Sequence, residues 1–277
     1  MATSVPVTHY RNEFVAGFEA RQSAARNTVT TEAMVNGKEA VFLIVNTNRE
    51  AVTRGPNGLI PAAVDDQSQV TVQLKEKHDL VQRTRFNIFT DQGDQRRIMQ
   101  EGGMAVINRD IDAEIFAALL SGTISFPSAS MTKAAVNEAI VRLGNAKVPR
   151  RDIFGALTPA AWAELSDLQS FASADYVNDR PLVEGMPEPT RMKDWMGVKW
   201  YVPETDLPGQ GTSTASCFVY SKNAVGHAIN RAGIGVFGGY DEEQDYYWAR
   251  HSLDHGAKLL LNAGVVEIVH DDTTLSA

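Results

Sequence analysis

Two histidines four residues apart, His251 and His255, enclose Asp254 in the segment HSLDH and are the first residues whose spacing could do chemistry. On a helix that spacing puts both imidazoles on one face, as in the H-E-x-x-H zinc motif. The glutamate of that motif is missing and a third ligand would have to come from elsewhere. A metal-dependent enzyme using His251, Asp254 and His255 is therefore an alternative, and two surface or interface histidines are the plainer reading. Gly233 to Gly238 matches G-x-G-x-x-G, but a dinucleotide fingerprint needs a strand before it and a helix opening on its last glycine. Here the pattern before it reads as a helix, and the glycines read as a flexible connector. Ser213 and Ser216 lack the G-x-S-x-G elbow, and no phosphate-loop lysine motif is present. The acidic run Asp241, Glu242, Glu243 and Asp245 reads as a solvated or partner-facing face more readily than as a hard-cation site. Tyr246, Tyr247 and Trp248 stand beside it, and such aromatics favour contact surfaces. No nucleophile, base and oxyanion site assemble, so neither catalysis nor a cofactor nor a bound metal is expected.

Composition narrows the field further. With 277 residues and 43% hydrophobic content the chain can bury a substantial core. The longest apolar run, Ala40 to Val45, is far short of the roughly 20 residues that span a bilayer. The start, MATSVPVTHYRNE, lacks a signal peptide's apolar core. A single cysteine, Cys217, excludes an internal disulfide framework and reads as a buried, inert thiol. Against 34 acids stand 26 Lys and Arg, a net charge of -8, which argues against a surface built to grip nucleic acid.

The elements that must position these residues are organised around Gln95 to Ser121. There Met104, Ile107, Ile111, Ile115 and Leu119 recur at helical spacing, with Arg96, Arg97, Asn108, Asp110 and Glu114 on the other face and Gly122 as a stop. The pair Gly102-Gly103 predicts a bend or late start. Before this spine comes a polar arm, in which Phe14, Val15 and Phe18 could make a short amphipathic turn. Strand signals follow at Lys38 to Asn46 and Ser68 to Leu74, separated by the turn Pro56-Asn57-Gly58. A third extended stretch, Leu80 to Thr90, completes what reads as a long hairpin with little core of its own.

After the spine, Ser130 or Thr132 caps a helix closed near Gly144, and Asp152 to Leu157 reads as a strand. Thr158-Pro159 then caps a helix with Trp162, Leu165 and Leu168 inward. Beyond a loop at Asp175 to Arg191, strands are expected at Trp195 to Val202 and Ser216 to Tyr220. Ser221 is then expected to cap a helix carrying Ala224, Val225, Ala228 and Ile229. Ala257 to Leu261 and Val265 to Val269, joined by Asn262-Ala263-Gly264, read as a terminal hairpin.

The order of these elements carries a resemblance. An arm, a long extended hairpin, a spine with Asn108, Asp110 and Asp112, then AIVRLGNAKVPRRDIFGALTPAAWAEL and YYWARHSLDHGAKLLLNAGVVEIVHDD together look like the major capsid protein of a tailed bacteriophage. The resemblance implies an α+β fold: residues 1–45 an arm and first strand, 46–94 an extended loop, 95–149 a peripheral domain with the spine, 150–239 an axial domain, and 240–277 a return to the peripheral domain. It also implies self-assembly as hexamers and pentamers into an icosahedral head enclosing double-stranded DNA, formed in a bacterial host's cytoplasm. A portal protein would be a partner, and so would a separate scaffolding protein, because the arm is too short to scaffold by itself. An encapsulin-like compartment shares this architecture and is the nearer alternative.

In that architecture the extended loop of one subunit crosses the peripheral domain of the next. Here the loop and spine head are rich in cations, including Arg83, Arg85, Arg96 and Arg97, while the segment beginning Asp241, Glu242 and Glu243 is acidic. These are the expected intersubunit contacts, since complementary charge steers association and fixes register. Cations at a helix N-terminus oppose its dipole, which favours an outside partner for Arg96 and Arg97. Lys75 and Lys77 read as solvated.

Overall fold

Strands before one long helix, and strands mixed with shorter helices after it, make up the molecule as a computed structural model lays it out. It describes residues 23–35, 37–46, 51, 53–54, 58, 66–90, 95–172, 192–230 and 235–273. A short 3-10 turn, Ala25–Thr28, leads into β1 (Thr30–Val35), β2 (Glu39–Asn46), β3 (Asp66–Gln73) and β4 (Lys75–Thr84). Next come α1 (Arg85–Thr90), α2 (Gln95–Leu120), β5 (Ser125–Ser128), α3 (Lys133–Asn145), β6 (Ile153–Ala156), α4 (Pro159–Ser166) and α5 (Gln169–Ala172). The remainder is β7 (Lys193–Trp195), β8 (Val198–Tyr201), β9 (Ala215–Ser221), β10 (Val225–Asn230), β11 (Gly235–Asp241), β12 (Tyr246–Leu259) and β13 (Val265–His270). Phe14, Val15, Phe18 and the loop at Asp175 to Arg191 lie outside the described residues.

The spine is one helix, α2, and it runs unbroken through Gly102-Gly103. Ile107, Ile111, Ile115 and Leu119 are buried as their spacing demands, joined by Phe116. Two positions depart from the expected stripe. Met104 is 44% exposed, while Asn108, assigned to the polar face, is buried. Ser121 closes the last turn, its backbone N–H and its hydroxyl both donating to Ala118 O. Among the described residues no helix is long and apolar enough to cross a membrane.

Two sheets divide the core. In the first, β12 is the central strand: β4 pairs along one edge, β10 and β11 pair with its other stretches, and β1 adds parallel to β10. The spine packs on this sheet through Ile107, Ile111, Ile115 and Leu119, with Val225, Ile229 and Leu253 beneath. The second sheet, ordered β5-β13-β9-β6-β8-β7, buries β9 completely and carries α3 and α4. Local chemistry sets both helix starts. Thr132 accepts from Ala135 N, and Thr158 accepts from Ala161 N with Pro159 in the first turn, so each hydroxyl satisfies an amide that has no helical partner.

Several expectations are overturned by pairing partners that no local pattern reveals. Residues 225–230 form β10 and not a helix capped by Ser221. The strand sits between β1 and β12 with both faces covered, so its apolar residues lose the alternation that marks a half-exposed strand. Gly235 to Gly238 belong to β11, so the suspected connector is a strand in that stretch, and the element before it is a strand too. β12 and β13 do not pair; they enter different sheets, with a 3-10 turn between them. The stretch from Trp195 to Val202 is part of a β7–β8 hairpin that turns at Met196-Gly197, both residues having positive φ. β4 starts at Lys75, five residues early, and leaves the hairpin to pair with β12, while 85–90 is helical. Gly144 lies within α3 and does not close it.

The buried residues fall into two main clusters. α3 and β13 pack in the second core, whereas β10 and β11 join β12 in the first sheet. Ile111 is 1% exposed at the centre of the first core. Ile111→Ala is expected to cost about 2–5 kcal/mol, as for other large-to-small core changes. Urea unfolding of the unassembled chain should show this as a lowered midpoint.

Candidate functional site: the seam between spine and sheet

Along α2 the polar side chains are not spread around a solvated face; they fall on seams with other elements. The helix runs beside β12 and β4 so that His251 lies under Gly103, where an added Cβ would sit 2.0 Å from Nδ1. Glycine is therefore required there for close approach of helix to strand, which explains half of the Gly102-Gly103 pair. Two turns on, His255 Nε2 lies 2.8 Å from Asp110 Oδ2, and Lys77 Nζ donates to Asp110 Oδ1 at 3.1 Å. Lys75 Nζ donates to Glu114 Oε1 at 2.6 Å. Burial alone would raise the Asp110 pKa, but the bonds and charges of His255 and Lys77 outweigh it and hold the carboxyl below its ordinary value.

Asp112 points to the opposite side of the helix, because two residues turn it by about 200°. It accepts from Ser23 Oγ at 2.5 Å, Ala24 N at 3.3 Å, Ala25 N at 3.1 Å and Thr205 Oγ1 at 3.3 Å. Burial pushes its pKa up, and these four donors oppose the rise. A hydroxyl chain continues the joint: Thr28 Oγ1 lies 2.5 Å from Tyr220 Oη, which lies 2.7 Å from Tyr201 Oη. The 3-10 turn, the spine and strands β8 and β9 are thereby held together.

A third cluster ties the end of the described chain to the second core. Buried His270 bridges two carboxylates, with Nε2 2.9 Å from Glu164 Oε2 and Nδ1 2.7 Å from Asp272 Oδ1. Asp272 also accepts from Thr158 Oγ1 and Gly211 N. Cys217 is buried beside Thr158, and burial pushes its thiol up to about 12, so it is inert as expected.

A family model described as phage capsid protein matches residues 2–272. The chain belongs to the phage capsid protein family. No curated protein sequence matches it. Among solved structures, a protein of Mycobacterium phage Che8 is 15% identical with a TM-score of 0.74, covering 97% of this chain and 98% of that one. The capsid of Ralstonia phage GP4 is 11% identical with a TM-score of 0.73, covering 100% and 99%. The capsid of a native GTA particle is 12% identical with a TM-score of 0.65, covering 98% and 94%. The fold is that of phage capsid subunits, of mixed α+β content, and the N-x-D-x-D core of the spine in this capsid protein is a set of structural joints.

The expected site residues of the capsid protein are placed as follows. His251 and His255 are buried against the spine, not at the surface, while Asp254 faces away and accepts from Asn230 Nδ2 at 2.7 Å. The metal alternative therefore loses its ligand set; among the described residues no group of three or more His, Cys, Asp or Glu could hold a metal ion. Arg83 pairs opposite Tyr247, and Arg85 N donates to Asp245 O at 3.2 Å, which puts the basic end of β4 beside the acidic β11–β12 turn of the same chain. Asp241 accepts from Glu243 N and Gln244 N and so shapes that turn. Glu242 is exposed. Arg96 and Arg97 are in the first turn of α2, and their side chains lie outside the described set. Lys75 and Lys77 are paired with Glu114 and Asp110, not merely solvated.

Asp112, Gly103 and His227 were not singled out by sequence as joints. Only the burial of polar residues at helix spacing could have flagged the first. Asp112→Ala would leave the buried amides of Ala24 and Ala25 without an acceptor, at about 1–3 kcal/mol each. Chemical denaturation should show a larger loss for Asp112→Ala than for Asp112→Asn, which keeps one acceptor oxygen. Gly103→Ala should cost about 1–3 kcal/mol by overpacking, and part of that should be recovered in Gly103→Ala with His251→Ala.

Proposed function

We propose that this chain is the major shell subunit of a tailed bacteriophage, assembling as hexamers and pentamers into an icosahedral head that encloses double-stranded DNA. The observation that carries the assembly step is the β2–β3 hairpin. It is a two-stranded ribbon, a form marginal in water by itself, and among the described residues its root joins the body through Val35, Ala40, Val72 and Ala228. Farther out, Val41, Leu43 and Val45 stand on one face of β2 with exposures of 57%, 58% and 47%. An alternating apolar row on a ribbon without a sheet behind it fits burial against a neighbouring copy.

The subunit acts structurally and not catalytically, a conclusion that rests on family membership. An encapsulin-like compartment is not favoured, since the matching family is a phage one. The head is assembled in the host cytoplasm with a separate scaffolding protein and a portal protein. The net charge of -8 suits a wall that encloses DNA without binding its sequence. Arg83, Arg85, Arg96 and Arg97 and the turn Asp241, Glu242 and Glu243 remain the proposed contact between subunits, with one revision. The Arg85 guanidinium already interacts with the Tyr240 hydroxyl of its own chain, so the exchange between copies falls chiefly to the other arginines against Glu242 and Glu243.

Two sets of variants test this. Replacing Val41, Leu43 and Val45 together by Thr should leave the melting of the unassembled subunit nearly unchanged yet abolish shells in electron micrographs of cells co-expressing the scaffold. Normal shell yield would defeat the hairpin's assigned role. Arg96→Glu with Arg97→Glu should lower shell yield, more at low salt than at high, and Glu242→Lys with Glu243→Lys should restore it. Unimpaired assembly of the first pair would remove the charge contact.

A further inference from the structure

The sheet that carries the spine holds three buried histidines on its helix-facing side. His227 on β10 and His255 on β12 pack ring to ring, with centroids 5.7 Å apart, and His251 lies farther along β12. Buried polar atoms normally have partners, yet among the described residues none hydrogen-bonds His227 Nε2, His255 Nδ1 or either nitrogen of His251. A neutral imidazole tolerates one unpaired nitrogen; a protonated one would carry an unpaired N–H and a charge in the core.

The groups around His227 make a proton there costlier still. From β12 comes His255 and from the 3-10 turn Arg26, while the Thr31 hydroxyl of β1, 3.5 Å from Nδ1, is a neutral neighbour. Of the spine's carboxylates, Asp110 is already committed to His255 and, from β4, Lys77; Glu114 is committed to Lys75. Among the described residues no acid is a hydrogen-bond or ion-pair partner of His227. On the other face of β10, Ala228 packs with Val35, Ala40 and Val72 at the hairpin root. β10 is thus clamped between the histidine seam and the base of the β2–β3 hairpin.

We propose that this seam is an acid-operated latch: it is closed while His227 is neutral, and protonation of His227 beside His255 opens β10 from β12 and loosens the hairpin root from the spine. The latch is a property of the single chain and does not depend on how copies assemble. Burial first, then His255 and Arg26, lower the His227 pKa from an ordinary 6.5 to about 3. The unfolded chain therefore binds a proton that the folded chain refuses, and stability falls as pH falls from about 6.5 toward 3. Asp110, with its pKa lowered, loses its contribution only as pH drops below the ordinary carboxylate value of 3.8, so it does not act in the upper part of that window.

The test uses the unassembled full chain. Between pH 7.5 and 5.5 the rise in the unfolding constant from urea titrations should be about tenfold larger in the parent protein than in His227→Leu. Hydrogen exchange, corrected for the intrinsic pH dependence, should show protection falling at 225–230, 255–259 and 70–74 while 215–221 and 265–270 stay protected. Equal pH slopes in parent and variant, or an even loss of protection across both sheets, would overturn the latch. Should His227→Leu fail to fold, the ring resonances of histidine-labelled parent protein decide. A His227 ring still neutral at pH 5 supports the latch, and one that titrates near 6.5 overturns it.

Discussion

A carboxylate buried at the middle of a helix cannot be satisfied by that helix, whose own amides are already bonded, and Asp112 obtains four donors from elsewhere. Three come from Ser23 to Ala25, which enter a 3-10 turn, and the fourth from Thr205, beyond the end of β8. One side chain therefore fixes where the N-terminal segment meets the spine and where the second sheet meets the first. Asp110, two residues earlier, faces the other way and joins β12 and β4. Between them these acids make the helix a common support for pieces of chain from 33 to 145 residues away in sequence.

Much of this was legible, but unevenly. The spine and the caps at Thr132 and Thr158-Pro159 were readable because each depends on neighbours within a few residues, and β2 and β3 because each is a short run of strand-forming residues. Their apolar spacing and cap chemistry are local facts. β10 was unreadable because VGHAIN is buried on both sides and shows no alternation, so Ala and Ile at near-helical spacing mimicked a helix. The turn Asn262-Ala263-Gly264 was seen, but a turn signal does not say that the two strands it joins enter different sheets. The resemblance of element order carried the family even where individual elements were misread. The buried roles of Asp112, His227 and His251 were hidden, since a polar residue's spacing says nothing of what reaches it from another sheet.

Charge shows the same limit in a more instructive form. The basic strand β4 looked like a free cationic loop, yet two of its lysines end on the carboxylates of the spine, and its last residues meet the acidic turn of the same chain. Exposed pairs of this kind are each worth only about 0–1 kcal/mol. Their effect is to orient: β4 is held along β12 by ten paired residues and over the spine by two ion pairs, so the hairpin that precedes it leaves the body in a set direction. A segment oriented by its own chain loses less entropy when it meets a neighbour.

That economy matters because each contact the hairpin can offer is weak. Val41, Leu43 and Val45 are each about half exposed, so covering them gains about 1 kcal/mol apiece, half of what full burial gives. About 3 kcal/mol in total is less than the estimated 4–15 kcal/mol that two bodies lose in translational and rotational freedom. Two copies would therefore not stay joined by one hairpin, whereas a closed ring restrains each subunit from two sides and adds contacts without further loss of that freedom. In the proposed shell, weak, directed contacts of this size permit misplaced subunits to leave and hold firmly only when the shell closes, and a ribbon with an uncovered apolar row suits such a contact.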